Sequence, residues 1–461
     1  MKASAVGFAL GALALLGPSA VAAQEPDVIR AAWFRENITP DVGVNLGGYA
    51  ADQKSVTKSD DLFACGLALD DRQGGKVLLV AFDLLGLDAS YVQSLRKECA
   101  DTLGIPEAHV MLTCTHNHSG PESAHRFRLP GAINDDYLAT LRKTTVAAVG
   151  KLAKGDWRDV RAGFGSISVP VNKNRRYISP ANRCSYTPSR RDLPTNGITD
   201  EELGLLLLWG MDPKWDGPTY VMGNYAAHGL AGRSPGVGGR RISADFPAVF
   251  RDYVSKETGA ETMFVQGACG DLVPKDDEGG LESARRIGHD LGLAAVDAMI
   301  HAKRNPKHFL FGRTRVGGVL RKFESPIRRL YRGKMAPEYN SSEMLPIEVQ
   351  VIGVGDVCLV GIQGEPVCEL GLEMKWHSPF RRAWVATYAL GYTGYVSPAN
   401  FVIQGGYEGG CQISRCRDTL RLVNEAVDAM YELHERLNPE MRGADGEEYP
   451  DCLPKPPLVD L

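Results

Sequence analysis

What this chain of 461 residues lacks narrows it first. No two cysteines stand in a C-x-x-C spacing, which disfavours a structural zinc knuckle as its organising element. Charge of either sign is not in excess: 52 Lys and Arg against 56 Asp and Glu leave a formal net charge of -4. That balance gives no electrostatic basis for nucleic acid or an anionic membrane surface as partner. Beyond the amino-terminal segment no run is long and apolar enough to span a bilayer, so the mature chain is expected to carry no transmembrane segment. Internal repeats and low-complexity linkers are absent as well. What is present is an ordinary globular composition, 44% hydrophobic and 23% charged, with enough length for a large core.

The amino terminus reads as an export signal. Lys2 precedes an apolar run from Ala5 to Leu16, and Ser19-Ala-Val-Ala-Ala23 supplies small residues ahead of Gln24. Residues 1–23 are therefore expected to be a cleaved signal peptide, leaving 24–461 as a secreted or periplasmic chain. Ten cysteines in an exported protein permit disulfides. Cys114 and Cys358 lie in strand-like apolar runs and read as buried thiols. Cys184, Cys411, Cys416 and Cys452 lie in polar settings and are the better disulfide candidates, with no pairing deducible.

The chain is organised around His109-Val-Met-Leu-Thr-Cys-Thr-His-Asn-His-Ser-Gly-Pro121. It is an apolar strand that stops at His116-Asn117-His118. Two imidazoles two residues apart can face one spot only if the backbone bends, and Gly120-Pro121 are expected to supply the bend. Taken alone, the segment reads equally well as a solvated turn or a metal site. Upstream, Lys76 to Asp83 is a buried strand, and Asp88-Ala-Ser90 can cap a helix running to Thr102. Strand, helix and strand make a βαβ unit whose second strand delivers the histidines at its carboxyl end, where open α/β sheets place ligands. Leu46-Gly47-Gly48-Tyr49 could let backbone approach a ligand. Further strands end at His228, Asp271, Glu365 and Tyr395, while Met344 to Ile352 and Val357 to Ile362 form a hairpin. Six residues of metal-ligand or acid/base type at strand ends favour a shared site over six accidents. Two His with a carboxylate suit a catalytic zinc that keeps a position open for water. The expected fold is α/β, one large catalytic domain of mixed β-sheets flanked by helices, with the site at strand carboxyl ends.

These motifs resemble a known family. Thr113-Cys-Thr-His-Asn-His-Ser-Gly-Pro121 resembles the His-Thr-His-Ser-Gly-Pro signature of the neutral, non-lysosomal ceramidases. Ile38-Thr-Pro40 with Gly47-Gly-Tyr-Ala50, Asn172-Lys-Asn-Arg-Arg176, Asn224-Tyr-Ala-Ala-His228, Gly364-Glu365-Pro366 and Tyr392-Thr-Gly-Tyr395 follow in the family's order. Tyr407, twelve residues after Tyr395, is similar to the second site tyrosine. The resemblance implies that His116, His228, Glu365 and Tyr395 ligate Zn2+. It also implies that His118, Arg175 and Tyr407 surround the scissile carbonyl, His118 handling a proton and the other two opposing negative charge on oxygen. Asp245, in Ile242-Ser-Ala-Asp-Phe246, resembles a family Asp with a supporting role. His125 and His377 read as ordinary surface residues.

Two departures bear on the substrate. Where the family has Gly-Asp-Val-Ser-Pro, this chain has Gly270-Asp-Leu-Val-Pro274, so no serine nucleophile stands at Val273. The chain also ends soon after its last predicted helix, without the carboxy-terminal β-sandwich the resemblance implies. The expected activity is hydrolysis of an amide, with an N-acyl sphingosine or related N-acyl amide as small-molecule or lipid-like substrate. The same zinc site acting on an ester, another N-acyl compound or a modified carbohydrate stays open, as does a secreted binding protein without turnover.

Overall fold

The structure, a computed structural model, describes residues 27–48, 53–125, 132–155, 157–186, 195–211, 217–232, 240–275, 279–332 and 341–439. Its core is built from two facing sheets. The larger has eight strands in the order Glu261–Gln266, Pro218–Tyr225, Glu202–Gly210, Arg158–Ser168, Ile29–Asn37, Phe63–Asp70, Lys76–Phe82 and Val110–Cys114. The smaller runs Val316–Pro326, Met344–Val354, Val357–Ile362 and Arg382–Thr387.

Period-two alternation explains the layering. Leu67, Leu69, Val77 and Leu79 point inward to meet Ile352, Val354, Leu359 and Trp384 of the smaller sheet. Their neighbours Leu78, Val80 and Phe82 point the other way, against Val92 and Leu95 of helix Ala89–Leu103 and Leu141 and Val149 of helix Asp135–Lys154. On the far side, Val349, Val351, Val360 and Ile362 pack under Leu422, Val423 and Met430 of helix Asp418–Leu437. Helix, sheet, sheet and helix stack in that order, a mixed α/β architecture as expected.

Three βαβ units position the functional end. Val110–Cys114 lies parallel to Lys76–Phe82 across helix Ala89–Leu103, the unit read from the sequence. Glu261–Gln266 lies parallel to Pro218–Tyr225 across helix Asp245–Thr258. Arg382–Thr387 lies parallel to Val357–Ile362 across helix Cys368–Trp376. The first two units sit at opposite edges of the large sheet, yet those edges approach one another. Arg382–Thr387 joins them. Thr113 Oγ1 donates to the Thr387 carbonyl at 2.6 Å, Thr387 Oγ1 to the Gln266 carbonyl at 3.3 Å, and Asn224 Nδ2 to the Val385 carbonyl at 2.9 Å. The carboxyl ends of all three units therefore open on one place.

Several expectations need correction. The bend before His118 is made by His116 itself, at φ 57°, while Gly120 keeps negative φ and is needed for room: a methyl there would lie 3.2 Å from the Asp83 carbonyl. Asp88 stands at the helix N-cap but makes no capping bond; its carboxylate holds His125, through the backbone N–H at 2.8 Å and the ring at 2.5 Å. Cys184 and Cys416 are half-buried free thiols, Cys411 is buried, and Cys452 lies outside the described residues, as does the signal segment. The hairpin forms with its first strand extended to Val354, so its turn is Gly355-Asp356, with Gly355 at φ 55°. No described helix is long and apolar enough to cross a membrane.

One ion pair ties the large sheet to helix Asp245–Thr258. Arg251 Nη1 and Nη2 donate to the Asp83 carboxylate, at 2.8 and 2.6 Å, with both side chains 1% exposed. Removing the cation leaves a buried carboxylate uncompensated. Arg251→Met is expected to cost about 3–5 kcal/mol in a denaturant melt; a loss below about 1 kcal/mol would contradict the assignment.

Candidate metal centre

The site starts from the turn after Val110–Cys114. Asn117 points away from it and anchors the turn, donating to the carbonyls of Asp83 at 3.1 Å and Ser243 at 2.7 Å. With the middle residue turned outward, His116 and His118 both turn inward, and their Nε2 atoms lie 3.0 Å apart. The His116 ring stacks on Tyr388 with centroids 4.2 Å apart and planes 6° from parallel. Tyr388 also has positive φ, 56°, so two non-glycine residues in the left-handed region face each other at the site.

Each ligand candidate is held from behind. His116 Nδ1 meets the Leu85 carbonyl at 3.1 Å, and His228 Nδ1 meets those of Cys269 at 2.7 Å and Leu272 at 3.1 Å. A carbonyl can only accept, so both Nδ1 atoms carry the proton and both Nε2 lone pairs face the site. Glu365 Oε2 lies 3.6 Å from His116 Nε2 and 3.5 Å from His228 Nε2. Glu365 pairs with Tyr395 across a short parallel ladder, and the Tyr395 hydroxyl stands 3.5 Å from His228 Nε2. His116, His228, Glu365 and Tyr395 thus surround one point, with His118 beside it.

The remaining expected residues arrive from other elements. The Asn172–Asn174 strand pairs with Leu272–Pro274, which brings Arg175 against Gly270 and Tyr395. Arg175 Nη2 donates to the Gly270 carbonyl at 2.7 Å and to the Tyr395 hydroxyl at 2.9 Å. Tyr407, 40% exposed, lies at the rim with its ring edge-on to Tyr395, centroids 5.5 Å apart. Arg176 turns elsewhere, to Glu408, Gln404 and the face of Phe401. Val273 is buried in the ladder opposite Lys173.

Asp271, a strand-end candidate, and Asp245, the Asp of supporting role, lie outside this group. Asp271 accepts from Asn174 Nδ2 and from the backbone N–H of Cys368, both at 2.7 Å, so it braces the βαβ units instead of facing the imidazoles. Asp245 spends its carboxylate on the backbone N–H groups of Gly232 and Phe246. His125 and His377 are exposed. Residues the sequence did not flag are Tyr388, Glu408 and, in a different role, Gly48. A methyl on Gly48 would lie 2.2 Å from His118 Nδ1, so this glycine makes room for the His118 ring.

No family model and no curated protein matches the chain. The fold is nonetheless that of neutral ceramidase. The neutral ceramidase from Pseudomonas aeruginosa superposes with a TM-score of 0.71 over 90% of this chain and 75% of that one, at 16% identity. A ceramidase complexed with C2 gives a TM-score of 0.69 over 90% and 76% of the two chains, at 15% identity. At such identities the likeness establishes a shared ceramidase fold.

The donors fit a metal ion. His116, His118 and His228 offer nitrogens within 4.8 Å of one another, all buried. Glu365 Oε2 is buried and has no hydrogen-bond partner, although an orphaned carboxylate oxygen is costly. Lone pairs converging on a carboxylate oxygen without a hydrogen between them repel unless a cation stands there. Burial lowers the His116 and His228 pKa values to about 3, keeping both rings neutral as ligands require. Burial also raises the Tyr395 phenol well above its ordinary value, with Arg175 pulling the other way.

Two tests follow from this geometry. Gly48→Ala should displace the His118 ring, seen as a shifted imidazole resonance and a stability loss of about 1–3 kcal/mol; an unmoved ring would refute the contact. The second test concerns acid. Between the unfolded value of 6.5 and the folded value of about 3, the unfolded chain binds more protons at His116 and His228, so stability from the neutral rings is lost as pH falls. Asp245 and Asp271, raised by burial from 3.8 to about 6, act with the opposite sign in an overlapping window. The difference between variants is therefore the clean readout. In chelator-treated protein, His228→Asn should lower proton uptake on unfolding near pH 5 by about one, and an unchanged pH slope would contradict neutral His228.

Proposed function

We propose that the chain is an exported zinc hydrolase that cleaves an amide, with an N-acyl sphingosine or a related N-acyl amide as substrate. The observation carrying this reading is Glu365 Oε2, buried without a hydrogen bond and facing the Nε2 atoms of His116 and His228. The ceramidase fold around it supports the choice of bond. In this reading residues 1–23 are the export signal and 24–461 form one catalytic domain. The site takes a small-molecule or lipid-like partner and no nucleic acid.

His116, His228, Glu365 and Tyr395 would hold the zinc, a nitrogen and oxygen set suited to it. When bound, the ion supplies the positive charge that makes a water nucleophilic near neutral pH. The protein's own groups do the rest. Water adds to the carbonyl carbon, and Arg175 and Tyr407 donate to the oxygen as it gains negative charge. His118 accepts the water's proton and returns it to nitrogen as the carbon–nitrogen bond breaks, giving a carboxylic acid and a free amine. Its Nε2 lies 3.0 Å from His116 Nε2, beside the position the ion would take.

Metal analysis of purified protein should find about one zinc per chain, and His116→Ala and Glu365→Ala should each lose it. His118→Ala should keep the zinc while turnover drops by about 100-fold or more. Substrates for this test are ceramides set against short N-acyl amides, esters and glycosides. Turnover confined to a polar compound would reject the lipid assignment. Ligand binding that survives Glu365→Ala, with no turnover in wild type, would indicate a binding protein.

A further inference from the structure

Glu408 has no part in the reading above, yet it is a buried carboxylate held tightly beside the site. It is wholly buried and accepts from two consecutive arginines, Arg175 Nε and Arg176 Nη1, each at 2.7 Å. Burial alone would raise its pKa, but the two guanidinium groups hold it below the ordinary carboxylate range. The segment that carries it is Gln404-Gly-Gly-Tyr-Glu-Gly-Gly-Cys411. Gly405 and Gly406 have φ of 80° and 95° with ψ near 180°, a region open essentially to glycine. Such a segment has little intrinsic rigidity. Its fixed points are polar: Arg328 Nη1 grips the Gly409 carbonyl at 2.8 Å, and the Tyr331 hydroxyl bonds the Gly410 carbonyl.

Glu408 joins this segment to the site from both ends. Through Arg175 Nε it fixes the plane of a guanidinium whose Nη2 meets the Tyr395 hydroxyl at 2.9 Å. Through the backbone it fixes Tyr407, whose ring lies 5.6 Å from the Arg175 guanidinium and 5.5 Å from the Tyr395 ring. We propose that Glu408 is the positioning residue of the site, holding Arg175 and Tyr407 in register with Tyr395 while touching no substrate itself. The inference rests on the hydrolase reading for its catalytic consequence, and on the contacts alone for its structural one.

The test compares Glu408→Gln and Glu408→Asp with wild type in zinc content, steady-state cleavage of an N-acyl amide and hydrogen exchange over 404–411. Glu408→Gln should keep one zinc per chain, lower kcat by about 10- to 100-fold with little change in KM, and speed exchange across the segment. Glu408→Asp, which keeps the charge, should recover most of kcat. If Glu408→Gln does not fold, Glu408→Asp is measured instead, with a smaller kcat loss and the same retention of zinc expected. In Glu408→Gln a kcat within twofold of wild type, or loss of zinc together with kcat, overturns the proposal; where Glu408→Asp stands in for it, unchanged exchange over 404–411 or loss of zinc together with kcat does. Wild type that cleaves no amide sinks the hydrolase reading instead, and unchanged exchange over 404–411 in Glu408→Gln would then overturn the positioning role too.

Discussion

The structure depends on a convergence that is unfavourable by itself. Two imidazole lone pairs are each held within 3.6 Å of one carboxylate oxygen, out of water, with no hydrogen between carboxylate and rings. Only a stiff surrounding can keep such groups together, or a cation among them that turns repulsion into attraction. The surrounding is stiff. Carbonyls hold both rings from behind, Tyr388 stacks on one of them, and two residues accept left-handed backbone to make the fit. The strain is local and is outweighed by a large two-sheet core.

The architecture answers how three distant stretches reach one point. Each follows the carboxyl end of a parallel strand in a βαβ unit, and the strand Arg382–Thr387 closes the gap between the two edges of the large sheet. Thr113, Thr387 and Asn224 matter to the site although they touch no donor, because their side chains hydrogen-bond across that seam. Arg251 and Asp83 play a similar part from the outer face, since the Asp83 carbonyl anchors Asn117.

Much of this was legible in the residues. Continuous apolar runs marked Lys76–Phe82 and Val110–Cys114 as buried parallel strands, and a helix of the right length between them made one βαβ unit plain. The other two were hidden because their crossovers are harder to read. Helix Asp245–Thr258 starts at a strained Asp, and helix Cys368–Trp376 is short and follows a two-residue ladder. The polar residues at strand ends picked out His116, His228, Glu365 and Tyr395, which the structure brings close together. The same signal misled at Asp271, because a strand end says nothing about which way a carboxylate turns, and this one is taken by Asn174 and the Cys368 N–H. Glu408 carried no signal in the sequence, because its partners lie 232 and 233 residues away.

The central claim is that His116, His228 and Glu365 converge on a metal ion. Anomalous diffraction across the zinc absorption edge, on crystals of protein never exposed to chelator, tests it most directly. The account predicts a single strong zinc-edge peak at about 2.0–2.2 Å from His116 Nε2, His228 Nε2 and Glu365 Oε2. Density showing those three atoms bridged by water or hydrogen bonds, with no anomalous peak among them, would contradict it.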